Sequence, residues 1–301
     1  NEERTAVCCL SSVNLEYYDE WKNVPAFIPD LVRMLDNVLQ HFIDHAPNEM
    51  ERAKYSASRE RSIGLGAMGY HAYLQRNKIA FESMFASGSN YQMFKHIKDH
   101  ALQETRRLAV ERGACPDDDT CEVRNAHLLA IAPNASSSII CGNTSPSIEP
   151  FRANAFTQKT KSGSFLQKNK YLEELLESRD ANTDTVWKDI ITNKGSVQHL
   201  DVLTSEEKEV FKTAVEINQS WVIEHAAQRQ EFICQSQSVN LFFPPDVNKA
   251  DLHNIHMLAW AKNLKTLYYL RSEAISRADN VSNKVKREII FEQEGCLSCE
   301  G

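Results

Sequence analysis

No run of about 18 apolar residues occurs, the length a helix needs to cross a bilayer. The first ten residues, NEERTAVCCL, also lack the basic start and apolar stretch of a secretory leader. Both absences predict a cytoplasmic chain that does not enter a membrane. No block of consecutive Lys or Arg is present, and 34 Lys and Arg against 41 Asp and Glu leave a net charge of −7. Without a basic footprint for phosphate backbones, the chain is not expected to bind nucleic-acid polymers. There is no internal repeat, no low-complexity tract and no initiator Met, so the chain reads as processed at its start or as a piece of something longer.

What is present is an ordinary soluble composition: 301 residues, 42% apolar and 25% charged. That length suits about two domains, or one α/β barrel. Eight cysteines without an export signal point to reduced thiols that do chemistry or bind metal, rather than to a disulfide framework.

The chain opens on an apolar, β-compatible segment, AVCCLSSVNL. A helical pattern follows in IPDLVRMLDNVLQHFIDHA, with apolar residues three and four apart. Helical periodicity returns in YQMFKHIKDHALQETRRLAVERGAC up to Gly113, in YLEELLESRDAN, and in SEEKEVFKTAVEINQSWVIEHAAQRQEF, whose start places Glu just inside a Ser. Between them lie four β-compatible runs: HLLAIAP (127–133), SSSIICG (136–142), QSVNLFFP (237–244) and KTLYYL (265–270). Helices alternating with buried strands predict an α/β sheet or barrel. From about residue 273 the large apolar residues thin out and no period persists, which predicts a mobile tail.

GLGAMG, Gly64 to Gly69, matches the GxGxxG pattern, but the preceding AKYSASRERS is polar and no acidic residue stands at about the 20-residue offset that would take a ribose hydroxyl. The glycines are therefore expected to let a helix start pack against neighbouring backbone. PNASSS, Pro133 to Ser138, puts three hydroxyls and free backbone N–H groups after a proline turn; this is either a common surface loop or a neutral cradle for a phosphate. Tyr268 and Tyr269 are either packing groups or, if their rings touch, a pair able to pass a radical. Cys8 and Cys9 should point to opposite faces of one strand. The acidic PDDDT between Cys115 and Cys121 should raise thiol pKa values, and these two, with Cys141 and Cys234, read as inert.

Cys296 and Cys299 form a CxxC within the last eight residues, EGCLSCEG. A zinc site needs four ligands, and no second CxxC or close CxxH exists. Thiol–disulfide exchange fits better, because a tether of about 20 to 30 flexible residues lets the pair visit both an interior site and an outside reductant.

In this order, AVCCLSSVNL, RSIGLGAMG, APNASSS followed by SIEP, KTLYYLR and a terminal CxxC resemble the catalytic subunit of class I (Ia-type) ribonucleoside-diphosphate reductases over nearly the whole chain. The resemblance implies the C-terminal half of a ten-stranded α/β barrel, residues 1–272, with flanking helices, and a flexible redox-active tail, residues 273–301. It implies that Cys8 is one of two cysteines that reduce the ribose 2′ position, with Cys9 incidental. Tyr268 and Tyr269 would relay a radical. Asn134, Ala135, Ser136 and Ser137 would hold the substrate diphosphate, and Cys296 and Cys299 would reduce the active-site disulfide. The chain itself would bind no metal or cofactor. Its radical would come from a di-iron tyrosyl-radical small subunit, its electrons from thioredoxin or glutaredoxin, and allosteric nucleotides would sit mainly on a missing N-terminal part of the large subunit. A dimer of large subunits, serving deoxyribonucleotide biosynthesis for DNA replication, is the implied assembly. The alternative is a noncatalytic helical binding module whose terminal CxxC binds zinc.

Overall fold

The computed structural model describes residues 1–7, 9–160 and 163–272. Cys8, Cys296 and Cys299, and with them the expected tail, lie outside the described residues. In chain order the elements are β1 (Cys9–Asn14), α1 (Tyr18–Trp21), α2 (Phe27–His45), α3 (Glu51–Glu60), β2 (Ile63–Met68), α4 (Tyr70–Arg76) and α5 (Met84–Arg112). They continue with α6 (Ser137–Ile140), the hairpin β3 (Ala155–Thr160) and β4 (Gly163–Lys168), α7 (Lys170–Glu177), α8 (Asp184–Thr192), α9 (Ser205–Val210), α10 (Gln219–Gln230), β5 (Leu241–Phe243), α11 (Lys249–Ala261) and β6 (Leu270–Ser272).

Five extended segments lie side by side, all parallel and in chain order. β1 pairs with β2 from Cys9 opposite Ile63 to Asn14 opposite Met68. Residues 127–131 join β2 through the Leu65–Leu129 bridge, and residues 235–239, which run on into β5 as one segment, join them through Ile131–Gln237. β5 pairs with β6, Leu241 opposite Leu270, and the Tyr268 N–H reaches the Val239 carbonyl at 2.9 Å. Neighbours that follow one another without reversal form a barrel wall, whereas a doubly wound sheet switches direction of order partway. The parallel connections run through helices, as parallel strands require. β2 is buried at all six positions, as an inner strand covered on both faces should be.

The main core lies between this sheet and helices α2, α5 and α10. In α2 the buried Ile28, Val32, Leu35 and Leu39 recur at three- and four-residue spacing on one face. A second core, built on Trp187, Leu172, Leu176, Ile190 and Val197, gathers the region from the hairpin to α9.

GLGAMG turns out to be β2 itself and the turn after it. A Cβ on Gly66 would collide with the Ala130 carbonyl, so its bare backbone allows the neighbouring strand to close in. Gly69, at φ +80°, starts α4 where a Cβ would meet Asn14 and Thr144.

Three expectations are corrected. SSSIICG is not a strand: the chain leaves the sheet after Ile131, Asn134 takes the left-handed region at φ +51°, and Ser137–Ile140 close a helical turn as the Ser138 N–H reaches the Asn134 carbonyl at 3.1 Å. The long helix expected from Ser205 onward is two helices. Glu216 accepts from the Thr213 N–H (2.7 Å) and hydroxyl (2.8 Å), holding a turn, and Asn218 then caps α10. The capping box belongs to Thr204 and Glu207, one residue before the Ser read as its start. The β3–β4 hairpin was not anticipated.

Candidate active site

The loop after the third strand is held against the first. The Ser12 hydroxyl on β1 donates to Asn134 Oδ1 at 3.0 Å, and Asn134 Nδ2 donates to the Ser137 hydroxyl at 3.3 Å. A left-handed residue followed by a helical turn leaves successive N–H groups facing outward. Among the described residues, none of the N–H groups of Ala135, Ser136 and Ser137 meets an acceptor. The geometry is that of a small neutral anion cradle, with Ser136 exposed.

From this loop the chain runs into the SIEP segment, which is tied down at several points. The Gly69 N–H reaches the Ser145 carbonyl (2.8 Å), the Ala72 N–H reaches the Ser145 hydroxyl (3.0 Å), and the Phe151 N–H reaches Nδ1 of buried His71 (2.9 Å). The segment delivers Glu149 into the interior, 4% exposed, where it accepts a hydrogen bond from Asn240 Nδ2. Burial pushes the Glu149 carboxyl up to about 7, against the pull of nearby Arg152 and Arg271 and of the Asn240 bond.

Tyr268 and Tyr269 follow on the next strand. Their ring centroids are 4.1 Å apart at 44°, and the Tyr268 hydroxyl donates to the Tyr269 hydroxyl at 3.2 Å. The Arg271 guanidinium stands 4.7 Å from the Tyr269 ring centroid. The Tyr269 N–H goes to Asn240 Oδ1 at 2.9 Å. Upstream, Lys265 fixes the approach by donating to the carbonyls of Ile233, Cys234 and Gln235. Two phenols in hydrogen-bonded contact have the arrangement needed to exchange an electron and a proton between neighbours.

The structure thus brings Asn134 and Ser137 together with Ser12, and Tyr268 together with Tyr269. Sequence reasoning assigned no role to Ser12, Glu149, Asn240 or Arg271, although SIEP was legible as a motif and Asn240 lies in the β-compatible run QSVNLFFP. The remaining cysteines are structural or superficial. Burial, then Asp118, raises the Cys115 thiol, in the expected direction. Cys234 Sγ accepts from the N–H groups of Leu128 (3.1 Å) and Leu129 (3.3 Å), while Cys121 and Cys141 are exposed. Among the described residues no group of three or more His, Cys, Asp or Glu could hold a metal ion, and no helix is long and apolar enough to cross a membrane.

Comparison with known proteins agrees with the barrel wall. The chain matches the family described as ribonucleotide reductase, barrel domain, over residues 1–120 and 119–270. It is 52% identical over 284 residues to the ribonucleoside-diphosphate reductase large subunit of Invertebrate iridescent virus 6, covering 93% of this chain and 30% of that protein. The large subunit of Invertebrate iridescent virus 3 is 49% identical over 304 residues, covering 100% of this chain and 48% of its own length. The putative large subunit of Frog virus 3 is 47% identical over 302 residues, covering 99% and 53%. Among solved structures, the Actinobacillus ureae class Id ribonucleotide reductase alpha subunit superposes with a TM-score of 0.84 at 41% identity, covering 91% of this chain and 51% of that one. The chain spans about half the length of these relatives or less, and the zinc-module alternative finds no support among them. By its family match, its identity to large subunits and its parallel barrel wall, the chain belongs to the ribonucleotide reductase family, as a C-terminal portion of the large subunit's barrel domain.

Proposed function

We propose that this chain is the C-terminal part of an enzyme that reduces ribonucleoside diphosphates to deoxyribonucleoside diphosphates in the cytoplasm, active only when the N-terminal part of the large subunit completes the barrel. The observation that carries the reading is the Ser12–Asn134 hydrogen bond. It ties Ser12 of β1, the strand that comes next after Cys8 in the sequence, to a loop with three unused N–H groups, which supports reading that loop as the diphosphate cradle.

In this reading the ribonucleoside diphosphate places its phosphates on the N–H groups and hydroxyls around Asn134, Ala135, Ser136 and Ser137. An oxidising equivalent from a di-iron tyrosyl-radical small subunit crosses Tyr269 and Tyr268, each step moving an electron from a phenol together with its proton. It ends on a thiol of the N-terminal part. Cys8 and a partner cysteine from that part then give two electrons and two protons to the ribose 2′ carbon. Its hydroxyl leaves as water, and the two sulfurs close a disulfide. Cys296 and Cys299, within residues 273–301, reopen that disulfide by exchange and are reduced in turn by thioredoxin or glutaredoxin. Allosteric nucleotides bind mainly on the N-terminal part, and large subunits pair as dimers.

The shuttle role has its own test. In the complex with the N-terminal part and the small subunit, changing both Cys296→Ser and Cys299→Ser is expected to stop turnover driven by thioredoxin and to spare turnover driven by a small dithiol. Equal loss with both reductants would contradict the assignment.

A further inference from the structure

Glu149 and Asn240 have no part in the steps above, yet both are buried, at 4% and 1% exposure. They come from distant parts of the chain, Glu149 from the anchored SIEP segment and Asn240 from the residue just before β5. The two meet directly beside the tyrosine strand. The Asn240 amide spends both of its ends there. Its nitrogen donates to the Glu149 carboxyl and its oxygen takes the Tyr269 N–H at 2.9 Å. A backbone N–H satisfied by a side chain, rather than by a strand carbonyl, is fixed only as well as that side chain is fixed. Here the fixing group is a buried carboxyl on a loop with four anchors of its own: Ser145 to Gly69 and Ala72, Ser147 to Tyr70, and Phe151 to His71.

We propose that Glu149 and Asn240 are positioning residues for the tyrosine pair: the buried carboxyl orients the Asn240 amide, the amide holds the Tyr269 backbone, and the backbone sets the contact between the two phenols. The inference rests on the reading of Tyr268 and Tyr269 as a radical relay. A phenol-to-phenol transfer depends steeply on the separation of the two oxygens, so a group that sets the 3.2 Å contact governs the rate without touching substrate. The placement also links the two halves of the candidate site, because Glu149 lies on the segment that leaves the diphosphate loop.

The test places 3-fluorotyrosine at position 269 of the full chain and records its fluorine resonance by NMR. Asn240→Ala and Glu149→Ala are each expected to move the resonance, because the ring then changes its contact with the neighbouring phenol 3.2 Å away. The double variant should move it no further than either single one, because both act through one contact. Glu149→Gln, whose carbonyl oxygen still accepts from Asn240, should keep the wild-type resonance. Circular dichroism on the same samples confirms that each variant is folded.

An unmoved resonance in Asn240→Ala and Glu149→Ala, or a Glu149→Gln change as large as that of Glu149→Ala, overturns the proposal whatever the activity. In the reconstituted complex, Asn240→Ala should lower kcat about tenfold or more and leave KM for the ribonucleoside diphosphate within about twofold. A raised KM with kcat intact would overturn it as well. The fluorine signal decides the positioning claim by itself, whereas absence of turnover in the wild-type complex would count against the relay reading.

Discussion

The same substitution, Gly to Ala, should act with opposite signs at two positions of this chain. Gly66 lies in β2, buried on both faces, where a new Cβ would press into the Ala130 carbonyl and stand 3.2 Å from the Ser12 hydroxyl. The obstacle is backbone, so relief requires β2 and residues 127–131 to move apart, at the cost of the hydrogen bond from the Leu65 N–H to the Leu128 carbonyl (2.7 Å). Overpacking of this kind costs about 1–3 kcal/mol. Gly88 lies inside α5, and a Cβ there would meet nothing within 4 Å. Alanine in an exposed helix interior stabilises by about 0.5–1 kcal/mol relative to glycine, because it restricts the unfolded chain and favours the helix. Urea unfolding of the full chain, followed by far-ultraviolet circular dichroism, should therefore place Gly88→Ala above wild type and Gly66→Ala below it, about 1.5–4 kcal/mol apart. A Gly66→Ala protein as stable as wild type would refute the packing account of GLGAMG.

Asp36 is wholly buried and accepts from Arg61 (2.8 Å) and Arg112 (2.9 Å); burial opposes its charge, but these arginines with Arg124 hold its carboxyl below the usual range. Asp36→Ala leaves Arg61 buried beside other cations and should cost about 3–5 kcal/mol in urea unfolding, far more than removal of a surface pair such as Lys95–Asp99. Burial pushes His71 and His225 down to about 3, so the unfolded chain binds their protons near its ordinary midpoint while the folded chain does not. Stability should then fall as pH drops from about 6.5 toward 3, by up to about 1.4 kcal/mol per unit for each histidine. Glu149 acts oppositely. Held up at about 7, it keeps its proton in the folded state, so its contribution is complete below about 4.5 and is lost as pH rises to about 7. Glu149→Gln should steepen the rise of stability across that window, and parallel curves for wild type and variant would contradict the assignment.

Much of the barrel wall was legible because its strands and helices carry their own periodicity. The apolar spacing of α2 and the glycine at the end of α5 mark both elements correctly, and the runs at 127–133, 237–244 and 265–270 all fall on the sheet. Where local chemistry competes with pattern, the reading failed. SSSIICG has β-branched residues, but Asn134 in the left-handed region starts a helical turn, and Ile140 ends 84% exposed. The chain from Ser205 to Phe232 keeps a helical period, yet the Thr213–Glu216 hydrogen bonds break it, a side-chain effect that hydropathy does not carry. At the site, the PNASSS loop and the tyrosine pair could be named from sequence. Their supports could not, because Ser12 lies 122 residues from Asn134 and Glu149 lies 91 residues from Asn240.

The most direct measurement of the central claim is turnover of a ribonucleoside diphosphate by this chain mixed with the N-terminal part of a large subunit, a radical-generating small subunit and a small dithiol, comparing wild type with Cys8→Ser. The account predicts deoxyribonucleoside diphosphate from the wild-type mixture and none above background from Cys8→Ser, with the chain still bound to its partners. Undiminished product from the Cys8→Ser mixture would contradict it.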